Sequence, residues 1–209
     1  RKVREYLDDI RVTRWRPFLP LLALTASCVL ILILCQGTGS IVYRLAQGAP
    51  ITLDAIGKIF DLTAALPPRS MLLFAQLFSS LEEVVFRGVL LTMLLTRYSP
   101  RRAIVYSAAA FGLMHLPGVV GGVPAVLVLG QVVWAFLFGL FYGYLFVKSG
   151  SLLPSMMIHW LSNVFQAPLT AGWAMAPVAV RAFYGVVFGY GLAALVSVIW
   201  VRAFSARWL

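Results

Sequence analysis

The sequence predicts an all-α fold: a polytopic transmembrane bundle of about six spans with a buried polar active site. Three observations predict it. The 209 residues are 61% hydrophobic and 11% charged, with mean hydropathy +0.91, whereas a soluble domain carries roughly a quarter charged residues. The apolar residues form runs of about 20, the length a helix needs to cross a bilayer. Basic residues gather at the ends of those runs, and a few ionisable residues sit inside them.

Residues 1–16 form a basic cytoplasmic tail with six Lys or Arg. Val3, Tyr6, Leu7 and Ile10 alternate with charges, so the tail reads as an amphipathic surface helix or as a solvated segment that sets orientation. The transmembrane domain is 17–209. Its first span is Pro17 to about Gln36, too long and unbroken for a signal-peptide core. Cys28 and Cys35 share a face of this run and form no disulfide or CxxC pattern. Between Gly37 and Arg69 the chain is mixed, and the helical spacing of "ITLDAIGKIFDLTAAL" predicts a surface-lying or partly re-entrant helix.

The second span is about Ser70 to Thr96. The third follows "RYSPRR" and runs from Ala103 to about Leu116, stopped by Pro117 and "GVVGGVP". The fourth is about Pro124 to Val147, the fifth Leu152 to about Phe165 after the turn "KSGS", and the sixth about Pro177 to Val201. With the N-terminus inside, about 12 basic residues lie inside against four outside, Arg44, Lys58, Arg69 and Arg181. Both termini are therefore expected in the cytoplasm, in a membrane of the bacterial inner (plasma) type. The net charge of +10 follows from topology. Nucleic acid is not an expected partner, because no aromatic residues interleave with the basic ones as a base-stacking platform requires.

"SSLEEVVFRGVLL" places Glu82, Glu83 and Arg87 in the second span. Each charge costs about 2.5–3.5 kcal/mol at the centre of a bilayer, so these side chains are expected to face the bundle interior. Glu83 and Arg87 are i and i+4, in the favourable order for an ion pair. Glu82 points about 100° away around the helix and has no local partner. The only two histidines supply candidates: His115 in "FGLMHLP", and His159 in "MMIHWLSNVF" with Asn163 one turn later. Each of these taken alone reads as interhelical glue. Together, on three spans, they read as a reactive site.

Such a set supports hydrolysis. A carboxylate and an imidazole converging on one water can take its proton as it attacks a carbonyl, while a second imidazole and an amide stabilise the oxyanion. Alternatively Glu82, His115 and His159 are candidate ligands for Zn²⁺, whose bound water becomes acidic enough to attack. No HExxH is present.

At these residues the sequence resembles the CPBP family (CAAX protease and bacteriocin-processing proteins), which includes the type II CAAX prenyl proteases. The family's EExxxR, FxxxH and HxxxN or HxxxD motifs stand here as "EEVVFR", "FGLMH" and "HWLSN", in order, within a motif-bearing core of 70–166. The resemblance implies an intramembrane endopeptidase acting on a membrane-anchored or lipidated peptide or protein. It implies Glu82 as the water-activating carboxylate with His115 as its partner, His159 and Asn163 as the oxyanion hole, and Glu83 and Arg87 as supports. It leaves open a glutamic or a metallo-enzyme, and with it zinc. Processing of bacteriocin leaders or C-terminal sorting tails shares the site. A non-catalytic immunity or scaffold protein would retain the fold without the activity. A proton-coupled transporter is disfavoured, because no pair of corresponding broken helices is visible.

Overall fold

The computed structural model describes residues 3–65, 77 and 80–208. These form eight helices and no strand among the described residues: α1 (Val3–Asp9), α2 (Phe18–Ala46), α3 (Leu53–Ile59), α4 (Val84–Leu95), α5 (Pro100–Leu113), α6 (Ala125–Ser149), α7 (Leu153–Thr170) and α8. The last is continuous through Val178–Tyr184, Gly185–Gly191 and Leu192–Trp208. The start of the expected second span, from Ser70, lies outside the described residues apart from Leu77.

The six expected spans correspond to α2 and α4–α8. By length and composition, three of these are able to cross a membrane: Phe18–Ala46, Ala125–Ser149 and Val178–Arg207. Helix α5 has 14 residues, about 21 Å of rise against a hydrocarbon core of about 30 Å. It stops short because Pro117 falls in the 3₁₀ turn Leu116–Val119 that follows it. The chain is thus a helical membrane bundle in which shorter helices pack among three long ones.

Local chemistry sets most helix ends. Thr52 caps α3, its hydroxyl accepting from Ala55 N at 3.1 Å. Pro100 opens α5 at its first turn, where the missing N–H costs nothing. Gly150 ends α6 at φ 66°, a left-handed conformation that glycine adopts without a Cβ penalty, at the turn read from "KSGS".

Helix α2 departs from expectation by continuing ten residues beyond Gln36, to Ala46. The "GTGS" that reads as a stop is a packing seam. A Cβ on Gly37 would overlap Phe60, and one on Gly39 would lie 2.6 Å from Phe188 Cβ. Ser40 Oγ donates to Leu169 O at 2.7 Å. Without a hydrophobic drive between helices in lipid, small residues that permit close approach hold such seams together. The same device joins α5 to α6, where a Cβ on Gly139 would stand 2.9 Å from Ala108 Cα.

The main core cluster joins α2, α6, α7 and α8 through Leu24, Phe138, Tyr142, Leu145, Ile158 and Tyr190. A second joins α4, α5 and α6 through Leu91, Ala103 and Phe146. Cys28 and Cys35 are free thiols.

The N-terminal tail docks on the bundle where it leaves α1. Ile10 is 4% exposed, and a Cβ on Gly88 of α4 would stand 3.3 Å from its own. Arg11, at φ 62°, accepts from Leu152 N at 3.2 Å, and its guanidinium lies 4.7 Å from the centre of the Phe146 ring. These contacts hold a backbone conformation that a non-glycine residue rarely adopts. Ile10→Ala is expected to cost about 2–5 kcal/mol. It should lower the melting temperature in detergent and open Arg11 and Arg14 to trypsin. Unchanged melting and proteolysis would show that the docking contributes nothing.

Candidate active site

The segment that carries the acidic motif is not a plain α-helix. Val84–Leu91 is a π-helix, wider by one residue per turn, and π segments often mark functional sites. Widening a helix frees carbonyls that lipid cannot satisfy, and neighbouring side chains supply donors. Ser107 Oγ on α5 donates to Phe86 O at 2.7 Å, and Thr92 Oγ1 donates to Arg87 O at 3.4 Å. The π stretch Gly185–Gly191 in α8 is met in the same way, with Gln36 Nε2 donating to Gly189 O at 2.9 Å.

The Glu83–Arg87 pair expected from the i, i+4 spacing forms here. Arg87 Nη1 donates to Glu83 Oε1 at 3.0 Å, and both side chains are 0% exposed. The same oxygen accepts from a second group, His159 Nδ1, at 2.9 Å. The sequence spacing gives no indication of this direct bond between His159 and Glu83. A buried carboxylate can only accept, so Nδ1 carries the hydrogen and Nε2 is the imidazole's free face.

His115 lies just beyond the end of α5, at the head of the 3₁₀ turn, and not inside a helix. Its Nδ1 lies 3.0 Å from Phe111 O. A carbonyl only accepts, so His115 too is held as the Nδ1–H tautomer with Nε2 available. Glu82 is half-buried. Its carboxyl lies within electrostatic range of His159, His115, Glu83 and Arg87. Asn163 is half-buried one turn beyond His159 on α7. The fold thus collects the acidic motif and both histidines in one neighbourhood.

Aromatic rings wall this neighbourhood. The Arg87 guanidinium lies 4.3 Å from the Phe111 ring centre and 5.3 Å from that of Tyr142, so the cation is held by π faces as well as by Glu83. Tyr142 stacks on His159 at 5.6 Å and 19°. Phe111 meets His115 edge-on at 5.5 Å, and Trp134 flanks His115 at 5.9 Å. Nothing in the sequence marks Tyr142 and Trp134, since an aromatic residue in an apolar run of α6 carries no sign of its role.

Among the described residues, Glu83 Oε2 and Arg87 Nε and Nη2 are buried without a hydrogen-bond partner. So concentrated a set of unpaired polar atoms in one core is unusual, and it leaves hydrogen-bonding capacity beside His159. Among the described residues, no three His, Cys, Asp or Glu side chains gather closely enough to hold a metal ion.

A family model described as "Type II CAAX prenyl endopeptidase Rce1-like" matches residues 65–165, just under half the chain. No curated protein and no solved structure matches the chain. All six residues singled out from the sequence fall within the matched segment. Over residues 65–165 the chain is similar to the Rce1-like type II CAAX prenyl endopeptidases, which is consistent with a CPBP-family membrane protease.

Proposed function

We propose that this protein is an intramembrane endopeptidase that hydrolyses a peptide bond in a lipidated or otherwise membrane-anchored substrate, with Glu82 as the water-activating carboxylate. One observation carries the assignment of roles: the two adjacent glutamates have different surroundings. Glu83 is fully buried and already bonded to Arg87 and His159. Glu82 is half-buried, within electrostatic range of both histidines, and forms no ion pair among the described residues.

In the proposed reaction Glu82, with His115, takes a proton from water as its oxygen bonds to the substrate's carbonyl carbon. The carbonyl π electrons move onto oxygen. His159 in its protonated form donates from Nε2 to that oxyanion, with Asn163 as the second donor. Glu83 fixes the His159 ring through Nδ1 and stabilises its positive charge, as a buried carboxylate does for the histidine of a catalytic triad. The C–N bond then breaks, and the proton held on Glu82 passes to the leaving nitrogen. No step runs through a metal.

Prenylated CAAX peptides are the first substrate class to test, given the family match. The full chain in bilayers should cleave one equally with and without a chelator. Loss of activity on chelation, restored by Zn²⁺, would replace the metal-free mechanism. The proposed orientation puts both termini and the 97–102 loop in the cytoplasm of a bacterial-type inner membrane. Single cysteines in that loop of a Cys28/Cys35-free variant should be labelled only after the cells are permeabilised. Labelling of intact cells from outside would invert the topology.

A further inference from the structure

Helices α5, α6 and α8 enclose an apolar groove of about 450 Å³, well removed in sequence from the acidic motif. Its α6 wall is Leu137, Leu140 and Tyr144, and its α8 wall includes Leu195 and Val198. These positions recur every three or four residues, so each wall is one stripe of one helix. One further turn along each stripe stand Lys148 and Arg202, which with Ser205 line a second cavity of about 390 Å³. The groove and the basic cavity therefore lie end to end along the same two helix faces. Arg101, at the start of α5, stands on the groove's lining. From Leu137 to Lys148 the stripe rises about 16 Å, a span suited to an acyl chain.

Arg101, Lys148 and Arg202 are exposed, and none forms an ion pair with a described residue. The ammonium of Lys148 lies over Tyr144, 5.8 Å from the ring centre. Membrane topology explains why cations stand at this end, but not why Arg101 lines the groove while Lys148 and Arg202 line the cavity that continues it. Arg102 and Arg207 stand at the same end and line neither cavity. A chain-shaped apolar slot that opens onto cations with no ion-pair partner among the described residues matches an amphiphile with an anionic head.

We propose that this composite groove binds one anionic phospholipid. Its phosphate is held by Lys148, Arg202 and Arg101, and an acyl chain lies between α6 and α8. The lipid bridges α5, which leads to His115, and α6, which carries Tyr142, so it braces two walls of the candidate site from outside.

The test uses the full chain, purified in detergent and stripped of lipid, with native mass spectrometry as the readout. Phosphatidylglycerol should be retained as one adduct under conditions that remove phosphatidylcholine of the same chains, and glycerol phosphate should not bind. Lys148→Gln with Arg202→Gln should weaken phosphatidylglycerol by about tenfold or more. Arg102→Gln with Arg207→Gln, an equal change in charge, should leave it unchanged. Leu195→Trp, at an exposed lining position, should displace the lipid while the charges remain. Equal retention of the two lipids, or equal effects of the two charge pairs, would overturn the proposal. Glycerol phosphate binding as tightly as the lipid would reduce the site to an anion site and overturn it too. If the double variants fail to fold, the wild-type comparison of the two lipids decides.

Discussion

Replacement of Glu82 by glutamine is expected to reduce peptide cleavage by about 10²–10⁴-fold, the usual contribution of a positioned general base, with an unchanged melting temperature. The amide has nearly the same shape but cannot take a proton. Glu82 forms no ion pair among the described residues and is only half-buried, so little of the fold depends on its charge. Purified wild-type and variant protein would be compared in a cleavage assay and a thermal scan. A fully active Glu82→Gln protein would remove Glu82 from the reaction. An inactive one that also melts early would make Glu82 a structural residue instead.

Glu83→Gln should behave differently. Arg87 would keep its charge in a site with 0% exposure and lose the carboxylate bonded to it. Breaking a buried pair in this way costs about 3–5 kcal/mol. His159 would lose the anion at its Nδ1 in the same step, so cleavage should fall together with stability. A double variant, Glu83→Leu with Arg87→Met, separates the two effects. Apolar replacement of both partners removes the unpaired charge, and such exchanges are often neutral or stabilising. Much of the lost melting temperature should return while cleavage stays impaired, because His159 still lacks its orienting partner. Recovery of both would confine Glu83 to a structural role.

The contrast between these glutamates shows what the sequence could reveal. The i, i+4 spacing was enough to pair Glu83 with Arg87, because both residues lie on one short segment. It could not assign His159 to Glu83, because that bond depends on how α4 and α7 are rotated against each other. A turn of about 100° would have exchanged the neighbours. Residue type singles out His115, but the apolar run continues past it with helical spacing. Its position just beyond α5 depends on where the turn before Pro117 begins.

The helical bundle itself was legible because apolar run length is a direct measure of membrane fit. Helix lengths were less so. "GTGS" has the composition of a loop, yet Gly37, Gly39 and Ser40 are helical because Phe60, Phe188 and Leu169 pack against them. The two π segments left no local signal either. Their carbonyls are met by Ser107 and Gln36, on other helices. Phe111 stood in a motif, but its place beneath the Arg87 guanidinium came only with the fold.

The most direct measurement is a product analysis. Wild-type protein and Glu82→Gln, each reconstituted in bilayers and shown to be folded, would be incubated with prenylated CAAX peptides and bacteriocin-leader peptides. The products would be read by mass spectrometry. The account predicts that wild type converts at least one peptide into two fragments whose masses sum to substrate plus one water, with or without chelator, and that Glu82→Gln leaves it intact. Intact peptides throughout with folded wild-type protein, or the same two fragments from both proteins, would contradict it.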